Sequence, residues 1–515
     1  GYDTFCSGHA FLPDGRLLVA GGHDDVTGHF HADFVGVPDA SLFDPATNSW
    51  TRLPDMNAGR WYPTATTLAS GEVLVLSGTV TPGVLDTLPQ VLTTAGTWRD
   101  LTGAQAAAPL GVDLYPRLFV APDGRVFKAG PDQDTWFLDT AGTGSWTPGP
   151  PSHFGLRTYG SAVMYEPGKI LIAGGGDPPT ATAEVIDLNE PNPAWHSVSP
   201  MAFPRRQHNA TLLPDGTVLV TGGSSGPGHS NEATPVLPAE LWNPATGTWT
   251  TLAAEQIPRL YHSTALLLPD GRVLSAGGGQ PGTNHPDAEI FSPPDLAQGQ
   301  GSRPTIASAP ATVAYGEAFA VATPDAARIA QVSLIRLGSV THAFDENQRY
   351  LRLGFTPTPG GLIVTAPAGP NLAPPGHYML FLLDGDGVPS VAQILRIDPP
   401  PTPSAVAPIA TAPADPINPV AGGGHDAAAP PTAGDGPEAR PGPTETVPAA
   451  VDAVLPRIRV PKRIHRGKAH RHHQVPPRRR PMHGPGPTAE PRRRVGTAVT
   501  GAIRSRRRAT PRPGP

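Results

Sequence analysis

Over residues 1–300 the apolar positions fall in short runs bounded by turn residues, and nowhere in the three-and-four spacing of an amphipathic helix. The runs come in pairs around a tight-turn dipeptide: Asp14-Gly15, Ser70-Gly71, Asp123-Gly124, Pro167-Gly168, Asp215-Gly216 and Asp270-Gly271. Successive dipeptides are 56, 53, 44, 48 and 55 residues apart. Each is followed by a strand closing on small residues, as in LLVAGG, VLVLSG, VFKAG, ILIAGGG, VLVTGG and VLSAGGG. A third strand follows (clearest in SLFDP, EVIDL, ELWNP and EIFSP), then a fourth marked by Trp50, Trp98, Trp146, Trp195 or Trp249. Four strands in a unit of about 50 residues predict an all-β fold, a kelch-type β-propeller.

The sixth unit has no tryptophan strand, because Phe291 leads through PPDL into a Gly/Gln linker. From Arg303 to about residue 398 the runs AFAVAT, VSLIRL, LIVTA and YMLFLL predict a small antiparallel sandwich. Beyond that the pattern dissolves into Pro, Ala and Gly, then into Arg/His clusters such as RHHQ and RRR. Residues 399–515 hold too little apolar surface to offset the entropy of ordering them, so they are expected to form a disordered tail.

Composition agrees with turn-rich β-structure: 59 Gly, 67 Pro and 16% charged residues. No run of about 18 apolar residues is present, so nothing reads as a membrane-spanning helix. A single cysteine, Cys6, excludes an intramolecular disulfide. The chain opens on Gly1 without a basic-then-apolar leader, which reads as a processed or truncated start. The formal charge of −5 is unevenly spread. Residues 401–515 hold 19 Lys+Arg and 7 Asp+Glu, whereas the preceding 400 hold 19 and 36. No nucleic acid is expected to bind the acidic body, and the basic tail reads as a solvated segment rather than a nucleic-acid or anionic-surface contact.

Candidate chemistry lies at the residues leading into the first strand of each blade, which line one mouth of the ring. These are Cys6, Tyr62, Tyr115, Tyr159, His208 and the pair Tyr261-His262. A ring recurring at this place is expected to fill the central channel, and that is the reading for Tyr115, Tyr159 and His208. Three departures point to chemistry. A cysteine stands where other blades have an aromatic, one blade offers Tyr261 and His262 together, and His342 lies in GSVTHAFDENQR between two strands of the sandwich. Phenolate and imidazole ligands with an open position suit a tetragonal Cu(II) site better than zinc or calcium. A thiol beside a tyrosine and copper is oxidisable to a thioether. His23, His29 and His31 (HDDVTGHFH) form a local cluster that reads as a solvated loop rather than a second metal site.

Four stretches, in order, resemble the galactose oxidase and glyoxal oxidase family of copper radical oxidases: FCSGHAFLPDGRLLVAGG, LPDMNAGRWYPTATTLASGEVLVLSG, RLYHSTALLLPDGRVLSAGGG and GSVTHAFDENQR. YMLFLLDGDGVPSVAQILRI also resembles the family's closing immunoglobulin-like strands. The resemblance spans residues 1 to about 398. It implies a thioether cofactor between Cys6 and Tyr62, and one copper ion held by Tyr62, Tyr261, His262 and His342, with Tyr261 as axial base. It implies a two-electron oxidation of a small alcohol or aldehyde with O2 reduced to hydrogen peroxide, by a monomer that is secreted or at the cell surface. The family has seven blades, so a seventh is expected upstream of Gly1.

SGTVTPG stands where galactose oxidase has a tryptophan over its thioether, which argues against galactose and, with the RWY triplet, for the glyoxal oxidase-like branch. Trp61 is a second aromatic for that place, but neighbouring strand residues point to opposite faces, which would leave it packing between blades. The competing class is a non-catalytic kelch propeller that binds carbohydrate or protein.

Overall fold

The computed structural model describes residues 2–24, 35–111, 115–279, 282–298 and 303–399. His29, His31 and the Pro-rich tail from residue 400 lie outside the described residues, and the seventh blade expected before Gly1 lies outside this chain. Five successive four-stranded antiparallel sheets form blades 1 to 5. Their innermost strands are Gly8–Phe11, Thr64–Thr67, Leu118–Val120, Ser161–Glu166 and Arg206–Leu212. Among the described residues blade 6 has three strands, Ser263–Leu267, Val273–Gly277 and Ala288–Phe291, as the missing tryptophan predicts. No described helix is long and apolar enough to cross a membrane.

The six turn dipeptides close the hairpins between the first two strands of each blade, and every one of their glycines has a positive φ, between 79° and 93°. That left-handed geometry is the one non-glycine residues avoid. Apolar clusters then join blade to blade. Ala10 and Leu18 pack with Ala65 and Val73, Leu74 with Leu118, and Phe119 with Ala162 and Met164. Val163, Leu212 and Ala265 share a cluster spanning blades 4 to 6.

The outer-strand tryptophans fasten the rim. The indole N–H of Trp98 donates to Pro54 O at 2.7 Å, that of Trp146 to Ala104 O at 2.7 Å, Trp195 to Pro150 O at 3.1 Å, and Trp249 to Ser199 O at 2.8 Å. Each bond reaches back to the preceding blade. Trp50 has no preceding blade among the described residues and is 57% exposed.

Residues 303–399 form two facing sheets. One has five strands, Thr312–Val313, Gln393–Ile397, Gly376–Asp384, Ile329–Arg336 and Tyr350–Leu353; the other has three, Ala318–Ala322, Gly361–Thr365 and Phe355–Thr358. The sandwich has its own core, including Val321, Leu334, Leu362 and Leu380. It packs on the turn-dipeptide face of the propeller, where Asn371 donates to Pro122 O at 3.0 Å and Arg303 to Asp270 O at 2.7 Å. Ile335, Tyr350, Met379 and Phe381 join the apolar cluster of blades 4 to 6.

From this sandwich a hairpin, Val340–Thr341 with Phe344–Asp345, projects into the propeller. Its buried polar side chains bind the innermost strands in turn. Glu346 accepts from the His9 and Ala65 amides at 2.8 and 3.3 Å, and Gln348 accepts from Leu212 N and donates to Ala210 O. Arg349 donates to Val120 O at 2.7 Å, and Ser161 of blade 4 donates to Ala343 O. One segment thus touches blades 1 to 5, which fixes its height and rotation within the ring.

Candidate metal centre

A residue just before or at the start of each innermost strand has a left-handed backbone: Cys6 (φ 61°), Tyr62 (65°), Tyr115 (47°), Tyr159 (55°), Gln207 (61°) and His262 (66°). Non-glycine residues rarely take this conformation, and each such residue costs on the order of 1–3 kcal/mol. Its recurrence in all six blades makes it a device of the fold. Backbone bonds link the positions in sequence: Tyr62 N donates to Cys6 O at 3.0 Å, Tyr115 N to Tyr62 O at 3.3 Å, and Gln207 N to Tyr159 O at 2.9 Å. The hairpin tip repeats the device, with His342 and Ala343 at φ 44° and 70°. The left-handed turn aims side chains inward that a continuing strand would send to its two faces.

Buried arginines hold these turns. Arg60, Arg157, Arg205 and Arg259 donate to Ser77, Gly174, Gly222 and Gly277 carbonyls and pair with acidic groups, as in Arg205–Glu240 at 2.5 Å. The left-handed residue lies two positions after Arg60, Arg157 and Arg205, but three after Arg259. Blade 6 therefore carries one extra residue, Tyr261, beside His262.

All five predicted site residues come together. Cys6 Sγ and ring nitrogens of His262 and His342 lie within 4.8 Å of one another. Cys6 Sγ is 3.6 Å from His342 Nε2, although the two residues are 336 positions apart. The Tyr62 and Tyr261 hydroxyls hydrogen-bond to each other. Ring centroids are 4.6 Å apart for Tyr62–His342, 3.7 Å for Tyr261–His262 and 4.6 Å for His262–His342. Burial pushes the Cys6 thiol well above its ordinary pKa, with a hydrogen bond from Trp61 opposing it. Burial likewise raises the Tyr261 phenol. Two phenols and two imidazoles converging in a buried site form a donor set that fits copper, as the sequence pattern predicts.

Three expectations are corrected. In blade 5 the left-handed residue is Gln207, and His208 lies one step further along the strand. It is fully buried against Gly174 of blade 4, and burial with the nearby Arg205 and Arg117 lowers its pKa to about 3. Tyr115 is no mere channel filler, since its ring stacks on His342 at 4.8 Å and lies 4.8 Å from Tyr62. Trp61 does not point away from Tyr62: the rings stack with centroids 3.9 Å apart and 14° between planes. Opposite faces require extended backbone at both residues, and the φ of +65° at Tyr62 removes that condition. Thr79, in the loop that lacks the family's tryptophan, pairs with Trp61 through backbone bonds of 2.7 and 2.9 Å.

Three contributors carried no usable sequence signal. Phe5 packs edge-on against His262 at 4.9 Å, Thr341 Oγ1 lies 2.7 Å from His342 Nδ1, and His229 reaches Tyr261 from a loop of blade 5. The glycine-flanked GPGHS around His229 marks a loop but not its destination.

The chain as a whole has relatives among known proteins. Residues 303–397 match the family described as Galactose oxidase-like, Early set domain, and residues 174–294 match Glyoxal oxidase N-terminus. The chain is 31% identical to an aldehyde oxidase GLOX of Vitis pseudoreticulata over 455 residues, covering 77% of this chain and 82% of that protein. It belongs to the galactose oxidase and glyoxal oxidase family. It is also 33% identical to a galactose oxidase of Gibberella zeae over 428 residues, and spans 61% of that protein's length. A solved fungal alcohol oxidase of the AA5 family, in complex with copper, superposes with a TM-score of 0.70 at 31% identity, covering 77% of this chain and 86% of that one. Members of the galactose oxidase and glyoxal oxidase family therefore share the sandwich as well as the propeller with this chain.

Proposed function

We propose that this protein oxidises a small alcohol or aldehyde by two electrons and reduces O2 to hydrogen peroxide. The observation that carries this reading is the convergence of Cys6, Tyr62, Tyr261, His262 and His342 in one cluster, buried except for the half-buried His262. Tyr62, Tyr261, His262 and His342 would hold one copper ion, which together with an oxidised Cys6–Tyr62 thioether supplies the electron-transfer chemistry. The solved copper-bound alcohol oxidase supports the metal, and the aldehyde oxidase relative supports the substrate class. We place its action outside the cell or at its surface, in keeping with the family reading.

The chain's own groups then have distinct tasks. Tyr261 would take the substrate's hydroxyl proton, since its hydroxyl lies in the cluster beside that of Tyr62. Tyr62 lies beneath the Trp61 indole, which excludes water from its face and would shield the ring once it is oxidised. Tyr115 closes the opposite side of the cluster through its stack on His342.

His342 is held in one tautomer. Tyr115 OH donates to Ser7 O at 3.1 Å, an acceptor that leaves the phenol oxygen free only to accept. Thr341 donates to it at 3.4 Å and so accepts from His342 Nδ1–H at 2.7 Å, leaving Nε2 as the ligand nitrogen. Thr341→Val is expected to weaken copper binding about 10–100-fold. Competition titration against a chelator measures this, and Thr341→Ser should restore it; equal affinity in all three proteins would show that the tautomer is set elsewhere.

The function itself is tested by copper loading, metal analysis and a peroxide-release screen over aldehydes and primary alcohols. One copper per chain with peroxide from at least one substrate class is expected. A chain that takes up no stoichiometric copper is instead a non-catalytic binding propeller.

A further inference from the structure

His229 stands on the loop between the second and third strands of blade 5, and that loop is fixed from three blades. Gly228 N donates to the Asp177 carboxylate of blade 4 at 3.3 Å, and Ser230 N donates to Gln207 Oε1 at 3.2 Å. Glu232 accepts from Thr283 N and Oγ1 beside blade 6 at 2.7 and 2.9 Å. The imidazole is consequently held over two phenols. Its ring lies 5.1 Å from Tyr159 and 5.0 Å from Tyr261, edge-on to both, and Nε2 hydrogen-bonds Tyr159 OH at 3.0 Å.

Tyr62, Tyr159 and Tyr261 are buried, whereas His229 is exposed. It therefore stands between solvent and the phenol that meets the substrate hydroxyl. Phe5 packs edge-on against His262 and Trp61 lies face-on over Tyr62. The nearest cation, Arg206, lies 5.3 Å over the Tyr159 ring and is paired with Asp177. With Nε2 on Tyr159, the imidazole has its other ring nitrogen for a hydroxyl arriving from solvent.

An aldehyde has no hydroxyl to lose until it is hydrated. Its hydrate, RCH(OH)2, loses one C–H hydrogen and one hydroxyl proton to give RCOOH, while O2 takes both electrons and two protons as H2O2. One hydroxyl meets Tyr261; the second needs a partner of its own. We propose that His229 is the substrate-selecting residue, hydrogen-bonding the second hydroxyl of an uncharged aldehyde hydrate. The inference rests on the oxidase reading above and adds to it a preference for hydrates over simple alkanols.

The test uses copper-loaded protein and two fluorinated probes of similar size, hexafluoroacetone hydrate and hexafluoroisopropanol, at a pH where both are neutral. They differ by one hydroxyl, and the hydrate has no C–H bond to oxidise. Fluorine NMR titration of the wild type should show the hydrate binding about tenfold tighter, the worth of one well-made hydrogen bond. His229→Phe should bring that ratio close to one, and His229→Gln should recover most of it. In turnover, the ratio of kcat/KM for methylglyoxal to that for 1-butanol should fall about tenfold in His229→Phe by the same arithmetic. An unchanged ratio, or a parallel fall for both substrates, overturns the proposal. If the wild type releases no peroxide with any substrate, the oxidase reading fails, and the binding ratio still decides the role of His229.

Discussion

Cys6→Ser is expected to keep one copper per chain and to lower peroxide release by about a thousandfold, a barrier increase of about 4 kcal/mol. Copper stays because the four expected ligands, Tyr62, Tyr261, His262 and His342, are untouched. Turnover falls because an unmodified phenol is much harder to oxidise than one carrying an ortho sulfur. The fold places the reacting groups together, since Cys6 and Tyr62 occupy the same left-handed position in neighbouring blades and share a backbone bond of 3.0 Å. Cys6 is 5% exposed, and burial keeps its thiol protonated, so in the metal-free protein it is an inert small hydrophobe. Forming the carbon–sulfur bond removes the thiol hydrogen and one ring hydrogen, and O2 takes the two electrons and two protons as H2O2. Aerobic copper treatment of the wild type should therefore lower the intact mass by that of a hydrogen molecule. Peptides holding Cys6 and Tyr62 should migrate together after proteolysis. A Cys6 that still reacts fully with a thiol reagent after copper treatment and denaturation would refute the radical cofactor.

Removing His342 should have the other large effect. His342→Ala is expected to lower copper content from one per chain to below about a tenth, because affinity collapses when an imidazole is lost from a small donor set. The metal-free protein should keep its melting temperature, since the hairpin is anchored by other groups. Glu346 binds blades 1 and 2, Gln348 binds blade 5, and Arg349 binds blade 3. His262→Ala should lose copper in the same way while leaving the blade 6 turn held by Arg259. Metal analysis and calorimetry on both variants separate ligand loss from unfolding. Full copper retention by both would move the metal away from this cluster.

Much of the molecule is legible from local pattern. The turn dipeptides, the strands after them and the outer tryptophans each report a preference that acts over a few residues: positive φ at glycine, extended backbone at β-branched runs, an indole needing an acceptor. Those preferences suffice for six blades and the sandwich. Family likeness added the five site residues, which spacing alone would have left as scattered rings, one thiol and one loop histidine.

Other features were legible only in three dimensions. Gln207 rather than His208 takes the left-handed place in blade 5, two positions after Arg205 as in blades 2 and 4, and no composition rule reveals that register. Trp61 stacks on Tyr62 because the backbone turns over between them, whereas an alternating pattern assumes that it does not. His229 and Thr341 join the cluster through a loop held by three blades and a hairpin held by five. The sequence by itself determined the repeating strands, the turns that close them and the kinds of side chain available, because those follow from short-range sterics and burial. Only the tertiary structure decided which of those side chains meet, because bringing Cys6 within 3.6 Å of His342 depends on ring assembly and on contacts across 336 residues, which no local propensity encodes.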